Sequence, residues 1–428
     1  MAGTPQKVVI VGAGYTALWA VKSIRRRLRR RIRAGEVTVT VVAPKTYHSF
    51  HGWTAESVTG VIGSESRRSP LRRLLQGLDF RLARATAVDL DRRTVTIEYV
   101  EGGGTATLDY DHLLLANGAY DAAEKVPGLD RHGLSVKVEG GVDAVRGAIL
   151  AALEQAQAAP PGPERDAWLG IVVAGGGFTG VELASNIAEM IRTLAPQFPV
   201  LAEAKPRMTL VHSGDALLPV LRPRFQGLVD YAVRQLAAYG IDVRLETRIT
   251  EATEEGVVLS TGETLPARLV ICTVGQKTVT FPGAEALPRN ARGQLIADEH
   301  LRVRGHAGLW TGGDAAEVPF IKGGPCPMNA LWAIKHGVWV GDNIARTIEG
   351  RPLRVFSYRG LGQAASLGIG KGMGELYGVP LKGWIGWTAR FFFFLYFQPS
   401  RRQAARVLTD WILLGVSGRQ TSFSRRLR

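Results

Sequence analysis

Two glycine-rich turns, about 160 residues apart, each follow a short apolar run and precede an amphipathic segment. The first turn contains Gly12 and Gly14, and the second contains Gly175, Gly177 and Gly180. A β-strand that ends in Gly-x-Gly lets backbone N–H groups approach a pyrophosphate, whose charge then lies at the N-terminus of the next helix. Two such loops predict a chain that binds two dinucleotides, typically a flavin and a nicotinamide.

The composition fits ordered α/β protein. The 428 residues are 46% hydrophobic and include 51 glycines, so the chain can bury two or three cores. Two cysteines, Cys272 and Cys326, argue against a disulfide framework and against a metal cluster, and no metal site is expected. The few residues before the first strand are too short for a signal peptide, which predicts a cytoplasmic location.

The net charge of +15 comes largely from two basic segments. Residues 25–33 carry seven arginines around one apolar stripe of a predicted helix, and Arg425, Arg426 and Arg428 lie at the C-terminus. Either the helix presents a solvated basic face or it contacts an anionic membrane surface. Nucleic acid is not an expected partner, because no recognition motif accompanies the charge.

The elements around the two turns predict two Rossmann-like domains. Each turn lies between an apolar strand and a helix that leads to another strand, which is a βαβ unit. The segment Thr311-Gly312-Gly313-Asp314 then returns the chain to the first domain. We expect a discontinuous FAD-binding domain over residues 1–160 and 276–350, an inserted NAD(P)-binding domain over 165–275, and a C-terminal membrane-associating region over 351–428.

The C-terminal region contains an aromatic block over residues 384–397, interrupted by Arg390 and followed by Arg401, Arg402 and Arg406. The block is too short to span a bilayer, which needs about 20 residues. Aromatic rings beside cations suit the headgroup boundary, so one interpretation is an interfacial anchor. A buried helix or a dimer interface is the alternative.

The series Gly-x-Gly, Ala116-Asn117-Gly118, Gly-Gly-Gly-x-Thr-Gly-Val-Glu and Thr-Gly-Gly-Asp resembles the two-dinucleotide-binding flavoproteins. Within them the chain looks like a type II NADH dehydrogenase, a non-proton-pumping NADH:quinone oxidoreductase. Residues 45–50, 67–72, 126–129 and the aromatic-basic C-terminal region support this resemblance. It implies FAD as cofactor, NADH or NADPH as donor, quinone as acceptor, and a lipid surface as partner. It further implies a peripheral location on the cytoplasmic face of the cell membrane and a possible homodimer.

The resemblance also implies roles for individual residues. The positions implied for FAD are Gly12, Gly14, Tyr15, Thr16, Ala17, Lys45, His48, Ala87, Asn117, Gly118, Asp314 and Ala330. The positions implied for the nicotinamide dinucleotide are Gly175, Gly177, Phe178, Thr179, Gly180, His212, Ser213 and Gly275. Glu182 matches a family glutamate near nicotinamide and quinone, and Glu182 and Lys335 are the candidate catalytic residues. Helix capping is the alternative for Asp314, and a favourable first-turn carboxylate is the alternative for Glu182.

The sequence departs from the family pattern at three places. Ala43 stands where an acid should hold the adenosine ribose of FAD. His212 replaces the corresponding acid of the second domain, so a 2′-phosphate is no longer repelled and the preference for NADH over NADPH should fall. The quinone motif Ala-Gln-x-Ala-x-Gln reads Ala330-Leu331-Trp332-Ala333-Ile334-Lys335.

Two other functions remain open on the sequence alone. A sulfide:quinone or disulfide-type reductase needs thiols near the flavin, and the two cysteines are 54 residues apart without a Cys-x-x-Cys pair. A non-enzymatic flavoprotein with a decayed nicotinamide site is the other alternative, because of His212 and Leu331.

Overall fold

A computed structural model describes residues 4–222 and 224–422, so the basic residues Arg425, Arg426 and Arg428 lie outside the described part. The helices of the described residues are α1 (Tyr15–Arg33), α2 (Thr54–Val58), α3 (Leu71–Leu74), α4 (Leu129–His132), α5 (Gly141–Ala158), α6 (Pro163–Trp168), α7 (Phe178–Leu194), α8 (Val200–Glu203), α9 (Gln226–Tyr239), α10 (Ala330–Ile348), α11 (Gly383–Phe397) and α12 (Arg401–Ser417).

The strands, in chain order, are β1 (Gln6–Val11), β2 (Val37–Ala43), β3 (Tyr47–Ser49), β4 (Arg68–Pro70), β5 (Asp79–Asp89), β6 (Thr94–Tyr99), β7 (Thr105–Asp109), β8 (His112–Leu115), β9 (Ala119–Tyr120), β10 (Gly133–Ser135), β11 (Gly170–Ala174), β12 (Arg207–Val211), β13 (Asp242–Arg244), β14 (Ile249–Ala252), β15 (Gly256–Leu259), β16 (Thr264–Pro266), β17 (Leu269–Cys272), β18 (Lys277–Thr278), β19 (Leu295–Ile296), β20 (Leu309–Thr311), β21 (Ala316–Glu317), β22 (Gly362–Ser366), β23 (Gly372–Leu376) and β24 (Val379–Lys382).

The chain forms two compact units. The first contains the residues up to 49 together with 68–120 and 276–360, and the second contains 50–67, 121–275 and the residues from 361 onward. Each unit holds one of the predicted glycine turns. The functional boundaries predicted from the sequence remain a prediction.

The first unit is built on a seven-stranded sheet with the order β20-β8-β1-β2-β5-β6-β7. The strands from β20 to β5 are parallel, while β5, β6 and β7 form an antiparallel meander. Residues 8–11 of β1 are all buried, as expected for a parallel strand covered on both faces. This sheet and α1 confirm the predicted βαβ unit.

Helices α1 and α10 of the first unit pack at very short distance, which two glycines permit. A Cβ at Gly337 would lie 2.3 Å from the carbonyl oxygen of Thr16, and a Cβ at Gly341 would lie 2.3 Å from that of Ala20. Farther along the two helices, Arg27 of α1 forms ion pairs of 2.9 Å with Asp342 of α10 and of 2.6 Å with Glu349, the C-cap of α10. Part of the predicted basic face is therefore used inside the unit, and Arg26, Arg29, Arg30 and Arg33 remain exposed.

The second unit is built on a five-stranded parallel sheet with the order β10-β17-β11-β12-β13. Helix α7 follows β11 and is buried along most of one side, with α5 and α9 in the same core. A β22-β23-β24 antiparallel sheet and helices α11 and α12 complete this unit. None of the helices in the described ranges is both long enough and apolar enough to cross a membrane.

Candidate functional site

The first glycine turn connects β1 to α1 with almost no free space on its protein side. Gly12 has φ +109°, and a Cβ there would lie 2.3 Å from the carbonyl oxygen of Ala116. The Gly12 N–H donates to the Val42 carbonyl at 2.8 Å. At Gly14, which precedes α1, a Cβ would meet nothing within 4 Å. The loop is thus fixed by the sheet below and open where a ligand would approach the helix N-terminus.

Buried polar atoms without protein partners surround this first turn. His48 donates from Nδ1 to the Ala13 carbonyl at 3.0 Å, and its Nε2 has no partner among the described residues. Burial lowers the pKa of His48 to about 4, so the neutral ring offers Nε2 as an acceptor. The buried Nδ2 of Asn117, next to Gly12, likewise lacks a partner in the described ranges. Orphaned buried polar atoms of this kind fit a polar ligand seated on the loop.

Residues around Asp314 form the other support of this site. The N–H of Gly313 donates to Nδ1 of His336 at 3.0 Å, which leaves a buried Nε2–H of His336 without a partner in the described chain. Burial lowers the pKa of His336 to about 3. Asp314 lies inside a short 3-10 turn whose N-cap is Gly312. The capping interpretation of Asp314 is therefore wrong, and the N-cap of α10 is Asn329, whose side chain accepts from the N–H groups of Leu331 and Trp332.

The remaining positions predicted for FAD belong to the same unit. Tyr15, Thr16 and Ala17 form the buried first turn of α1, and the Tyr15 ring meets His48 edge-on at 4.8 Å. Lys45 follows β2, Ala87 lies at a bulge in β5, Gly118 has φ +71°, and Ala330 begins α10. Lys335 lies in the second turn of α10 with its ammonium 5.2 Å from the ring centre of Tyr358.

The second glycine turn, between β11 and α7, repeats the conformation of the first. Gly175 has φ +116° and donates its N–H to the Val211 carbonyl at 2.8 Å. The N-cap glycines also match, with φ −75° and ψ −167° at Gly14 and φ −78° and ψ −176° at Gly177. A Cβ at Gly177 would meet nothing within 4 Å, whereas a Cβ at Gly180 would lie 1.8 Å from the Gly175 carbonyl oxygen. The two loops are therefore built alike.

The end of β12 carries His212 and Ser213. The His212 ring is half-buried and Ser213 is exposed. Desolvation lowers the pKa of His212, although the Ala216 backbone and Asp215 act in the opposite direction. A lowered pKa makes a positive charge on this ring less favourable, so the expected tolerance of NADPH rests on the missing carboxylate and not on a cationic histidine. Phe178 and Thr179 open α7, and Gly275, with φ +68°, follows β17.

Glu182 belongs to a buried cluster that joins three elements of the second unit. Arg390 of α11 donates from Nη1 to Glu56 Oε1 at 2.5 Å, and from Nη2 to Glu182 Oε1 at 3.1 Å. The Ser366 N–H also donates to Glu182 Oε1, at 2.7 Å. Glu182 lies beyond the first turn of α7, which contains no acid, so the helix-dipole interpretation is wrong. The structure therefore places Glu182 in a buried cluster with Glu56 and Arg390.

The charged side chains of this cluster are largely buried. The side chain of Arg390 is 2% exposed, that of Glu56 4% and that of Glu182 20%. Desolvation, opposed by Arg390 and reinforced by the negative charge of Glu56, raises the pKa of Glu182 to about 7. A carboxyl group with this pKa exchanges its proton near neutral pH, as a group that handles protons must.

Sequence reasoning missed Glu56, Arg390 and His336. Arg390 interrupts the aromatic block because it points into the protein and pairs with Glu56, 334 residues away. A single arginine in an otherwise apolar run was the available signal. His336 stands one residue before Gly337, within the close contact between α1 and α10.

Both cysteines in the described chain are buried. Burial raises the pKa of the Cys326 thiol to about 12 and also raises that of Cys272. Neither group is a thiolate at neutral pH, which disfavours the thiol-reductase alternative.

Comparisons with known proteins agree with the geometry. The profile of the pyridine nucleotide-disulphide oxidoreductase family matches residues 6–337. A type II NADH:quinone oxidoreductase from Staphylococcus saprophyticus is 26% identical over 387 residues, which cover 90% of this chain and 92% of that protein. These matches confirm the resemblance found in the sequence.

Solved structures share the fold. NDH2 from Plasmodium falciparum in complex with NADH matches with a TM-score of 0.87 at 17% identity, over 98% of this chain and all of that one. The sulfide:quinone oxidoreductase from Aquifex aeolicus matches with a TM-score of 0.70 at 15% identity, over 99% of this chain and all of that one. The predicted α/β class with Rossmann-like sheets is confirmed.

Proposed function

We propose, from the membership of this chain in the pyridine nucleotide-disulphide oxidoreductase family, that it is an FAD-dependent NAD(P)H:quinone oxidoreductase. The observation that carries this function is the pair of conformationally matched glycine loops, one in each unit. The relatives of similar length named type II NADH:quinone oxidoreductase support the choice of donor and acceptor.

The residues around the first loop fit FAD. Gly12 and Gly14 would admit the pyrophosphate, while His48, Asn117 and His336 present buried polar atoms that lack protein partners in the described ranges. Asp314 would hold the flavin's ribityl chain. When bound, FAD would supply the redox chemistry, namely hydride acceptance from NAD(P)H and two-electron reduction of the quinone.

The second loop would hold the nicotinamide dinucleotide. Gly175 and Gly180 fix the backbone, and Gly177 leaves the N-terminus of α7 open to the pyrophosphate. His212 and Ser213 would border the adenosine ribose without a carboxylate, so NADPH is accepted beside NADH.

The balance of the reaction calls for a protonatable group. NADH, one proton and a quinone give NAD⁺ and a quinol, so one proton comes from solution. Glu182 has its Oε1 engaged by Arg390 and Ser366, and Oε2 is the atom that would hold this proton. We assign Glu182 this role and Lys335 a role in orienting the acceptor.

Helices α11 and α12 would attach the protein to a membrane. Their inner residues pack on the unit: Phe391 and Phe394 meet Trp53 at 5.7 and 5.4 Å. Their outer residues form an exposed apolar surface of Trp384, Ile385, Phe392, Tyr396, Leu408, Ile412, Leu413 and Val416. Such a surface beside exposed Arg401, Arg402 and Arg406 suits an anionic lipid interface. We therefore infer a peripheral protein on the cytoplasmic face of the cell membrane.

Anaerobic titration tests the donor half of the function. Purified holoenzyme should be yellow, and one equivalent of NADH should bleach the flavin absorbance. A protein that takes up no flavin, or holds flavin that neither NADH nor NADPH bleaches, would contradict the proposal and favour the non-enzymatic alternative.

Sedimentation with anionic vesicles tests the attachment. Replacing Ile385, Phe392, Ile412 and Val416 with serine should release the protein from the vesicles, while Val355→Ser, at an exposed valine of the first unit, should not. Unchanged sedimentation together with loss of a dimer in solution would show that the surface is a dimer interface instead.

A further inference from the structure

A second buried arginine repeats the arrangement of Arg390 farther along α2 and α7. Arg419 lies in residues 418–420, here called the strap, which follow α12. Its Nη1 donates to the Thr59 carbonyl at 3.2 Å, and its Nη2 donates to Glu189 Oε2 at 2.9 Å. Thr59 follows α2, and Glu189 lies two turns beyond Glu182 on α7. One guanidinium therefore joins the helix of Glu56 to the helix of Glu182.

The strap is fixed by further contacts. The Gln420 N–H donates to the Gly60 carbonyl at 2.9 Å, and Gly60, with φ +69°, leaves no room for a Cβ, which would lie 2.3 Å from the Gln420 carbonyl oxygen. The Arg419 side chain is 3% exposed and that of Glu189 17%. The Arg419 guanidinium is therefore buried and held in place by its hydrogen-bond and ion-pair partners.

Glu189 and Glu182 are connected through the segment that joins β22 to β23. Glu189 accepts from the Ile369 N–H at 3.0 Å, at the turn between β22 and β23. Ser366, the last residue of β22 before this turn, donates its N–H to Glu182 and accepts at its carbonyl from Asn186. The α7 residues at positions 182, 186 and 189 thus hold one side of this turn, and Arg419 fixes the last of them.

We propose that Arg419 is a positioning residue for Glu182: it ties α2 to α7 beside Arg390 and so holds Glu56 and the Ser366 N–H against the Glu182 carboxyl group. The proposal rests on the proposed function, because it concerns the group assigned to handle the proton. The groups that face Glu182 are Glu56 from α2, Arg390 from α11 and the Ser366 N–H from β22. Behind them lie Glu189 of α7, Tyr239 of α9, Lys371 of the turn and Arg419 of the strap.

The charges predict the direction of each perturbation. Arg419→Gln removes a cation whose neighbours include Glu189 and Glu56, so the cluster should bind its proton more tightly. The apparent pKa of the Glu182 cluster should then rise by about 0.5–1 unit. This shift is smaller than the one expected from loss of a cation in direct contact with Glu182, because Arg419 does not touch that carboxyl group. Glu189→Gln removes an anion and leaves Arg419 charged, so the apparent pKa should fall.

The test uses full-length holoenzyme and two readouts. The first is the pH dependence of flavin reoxidation by a water-soluble quinone after reduction with NADH. The second is the infrared carbonyl band of protonated Glu182, which is identified by its absence in Glu182→Gln. The intensity of this band can be followed against pH without turnover. Arg419→Lys, which keeps the charge, should restore most of the wild-type inflection. Arg234→Gln, at an exposed arginine of α9, should leave the inflection in place.

Opposite shifts in Arg419→Gln and Glu189→Gln would support the proposal. Folded, flavin-loaded variants with the wild-type inflection in both readouts would overturn it. If Arg419→Gln does not fold, Glu189→Gln tests the proposal by itself: a lower apparent pKa of the cluster supports it, and an unchanged apparent pKa overturns it. A wild-type protein that NADH reduces but no quinone reoxidises would refute the proposed function, and the infrared titration would still decide the role of Arg419.

Discussion

Replacing Arg390 with methionine should destabilise the protein by an amount that depends on pH. The variant keeps the apolar stem but leaves Glu56, with 4% of its side chain exposed, without the guanidinium that binds both its oxygens at 2.5 and 3.3 Å. Removing one partner of a buried ion pair costs about 3–5 kcal/mol. The orphaned carboxyl can instead take up a proton, which costs about 1.4 kcal/mol for each pH unit above its unfolded pKa of about 4.3.

The expected loss of stability is set by the smaller of these two costs, the unpaired charge or the protonation of Glu56. Near pH 7 protonation of Glu56 costs about 3.7 kcal/mol, and near pH 5.5 it costs about 1.6 kcal/mol. Because burial without a partner disfavours the charged carboxylate in the folded variant, the loss of stability grows as pH rises through that range. At about 2–4 °C per kcal/mol, the thermal midpoint should fall by about 10 °C at neutral pH and by about half that at pH 5.5.

Thermal unfolding of the holoenzyme, followed by circular dichroism at both pH values, measures this difference. Arg402→Met is the matched control and should leave the midpoint unchanged at either pH. Adding Glu56→Gln to Arg390→Met should recover part of the loss, since the orphaned charge is gone. An equal loss at both pH values would refute the electrostatic reasoning, and no loss would refute the buried pair itself.

Three further outcomes follow from the loops and the histidines. Gly177→Ala should keep the thermal midpoint but raise the KM for NADH severalfold, because its Cβ meets only open space, whereas Gly180→Ala should destabilise the second unit, as equilibrium unfolding would show. His336 has a folded-state pKa below its ordinary value, so the free energy of unfolding of the flavin-loaded protein should decline as pH falls below about 6.5, by about 1.4 kcal/mol per pH unit. In urea unfolding, His336→Gln should show a smaller decline. His212→Glu should raise the ratio of kcat/KM for NADH over NADPH, and a wild-type protein that already rejects NADPH would contradict the argument from this position.

The sequence was sufficient for features that local chemistry determines. The glycine turns, their strands and the helices after them follow from residues within a few positions of one another, and φ values of +109° at Gly12 and +116° at Gly175 explain why glycine stands there. The open N-cap positions Gly14 and Gly177 follow from the same pattern.

The carboxylate cluster could not be found in this way. Glu56, Glu182 and Arg390 come from three separate elements, and only the packing of α11 on α2 and α7 brings them together. In the sequence, Arg390 is one more cation beside aromatic rings, and the burial that turns it inward is a tertiary effect. The same holds for His212, whose pKa is lowered by the burial of its ring in the folded protein.

Anaerobic stopped-flow mixing of NADH-reduced holoenzyme with a water-soluble quinone, recorded for wild type and Glu182→Gln, tests the central claim most directly. NADH should bleach the flavin of both proteins. Quinone should then rapidly restore the flavin absorbance of the wild type, at a rate whose pH dependence has an inflection near pH 7. Glu182→Gln should reoxidise much more slowly and without that inflection. Reoxidation of Glu182→Gln at the wild-type rate and with the same pH dependence would contradict the role given to this carboxyl group, and a reduced wild-type flavin that quinone leaves unchanged would contradict the function.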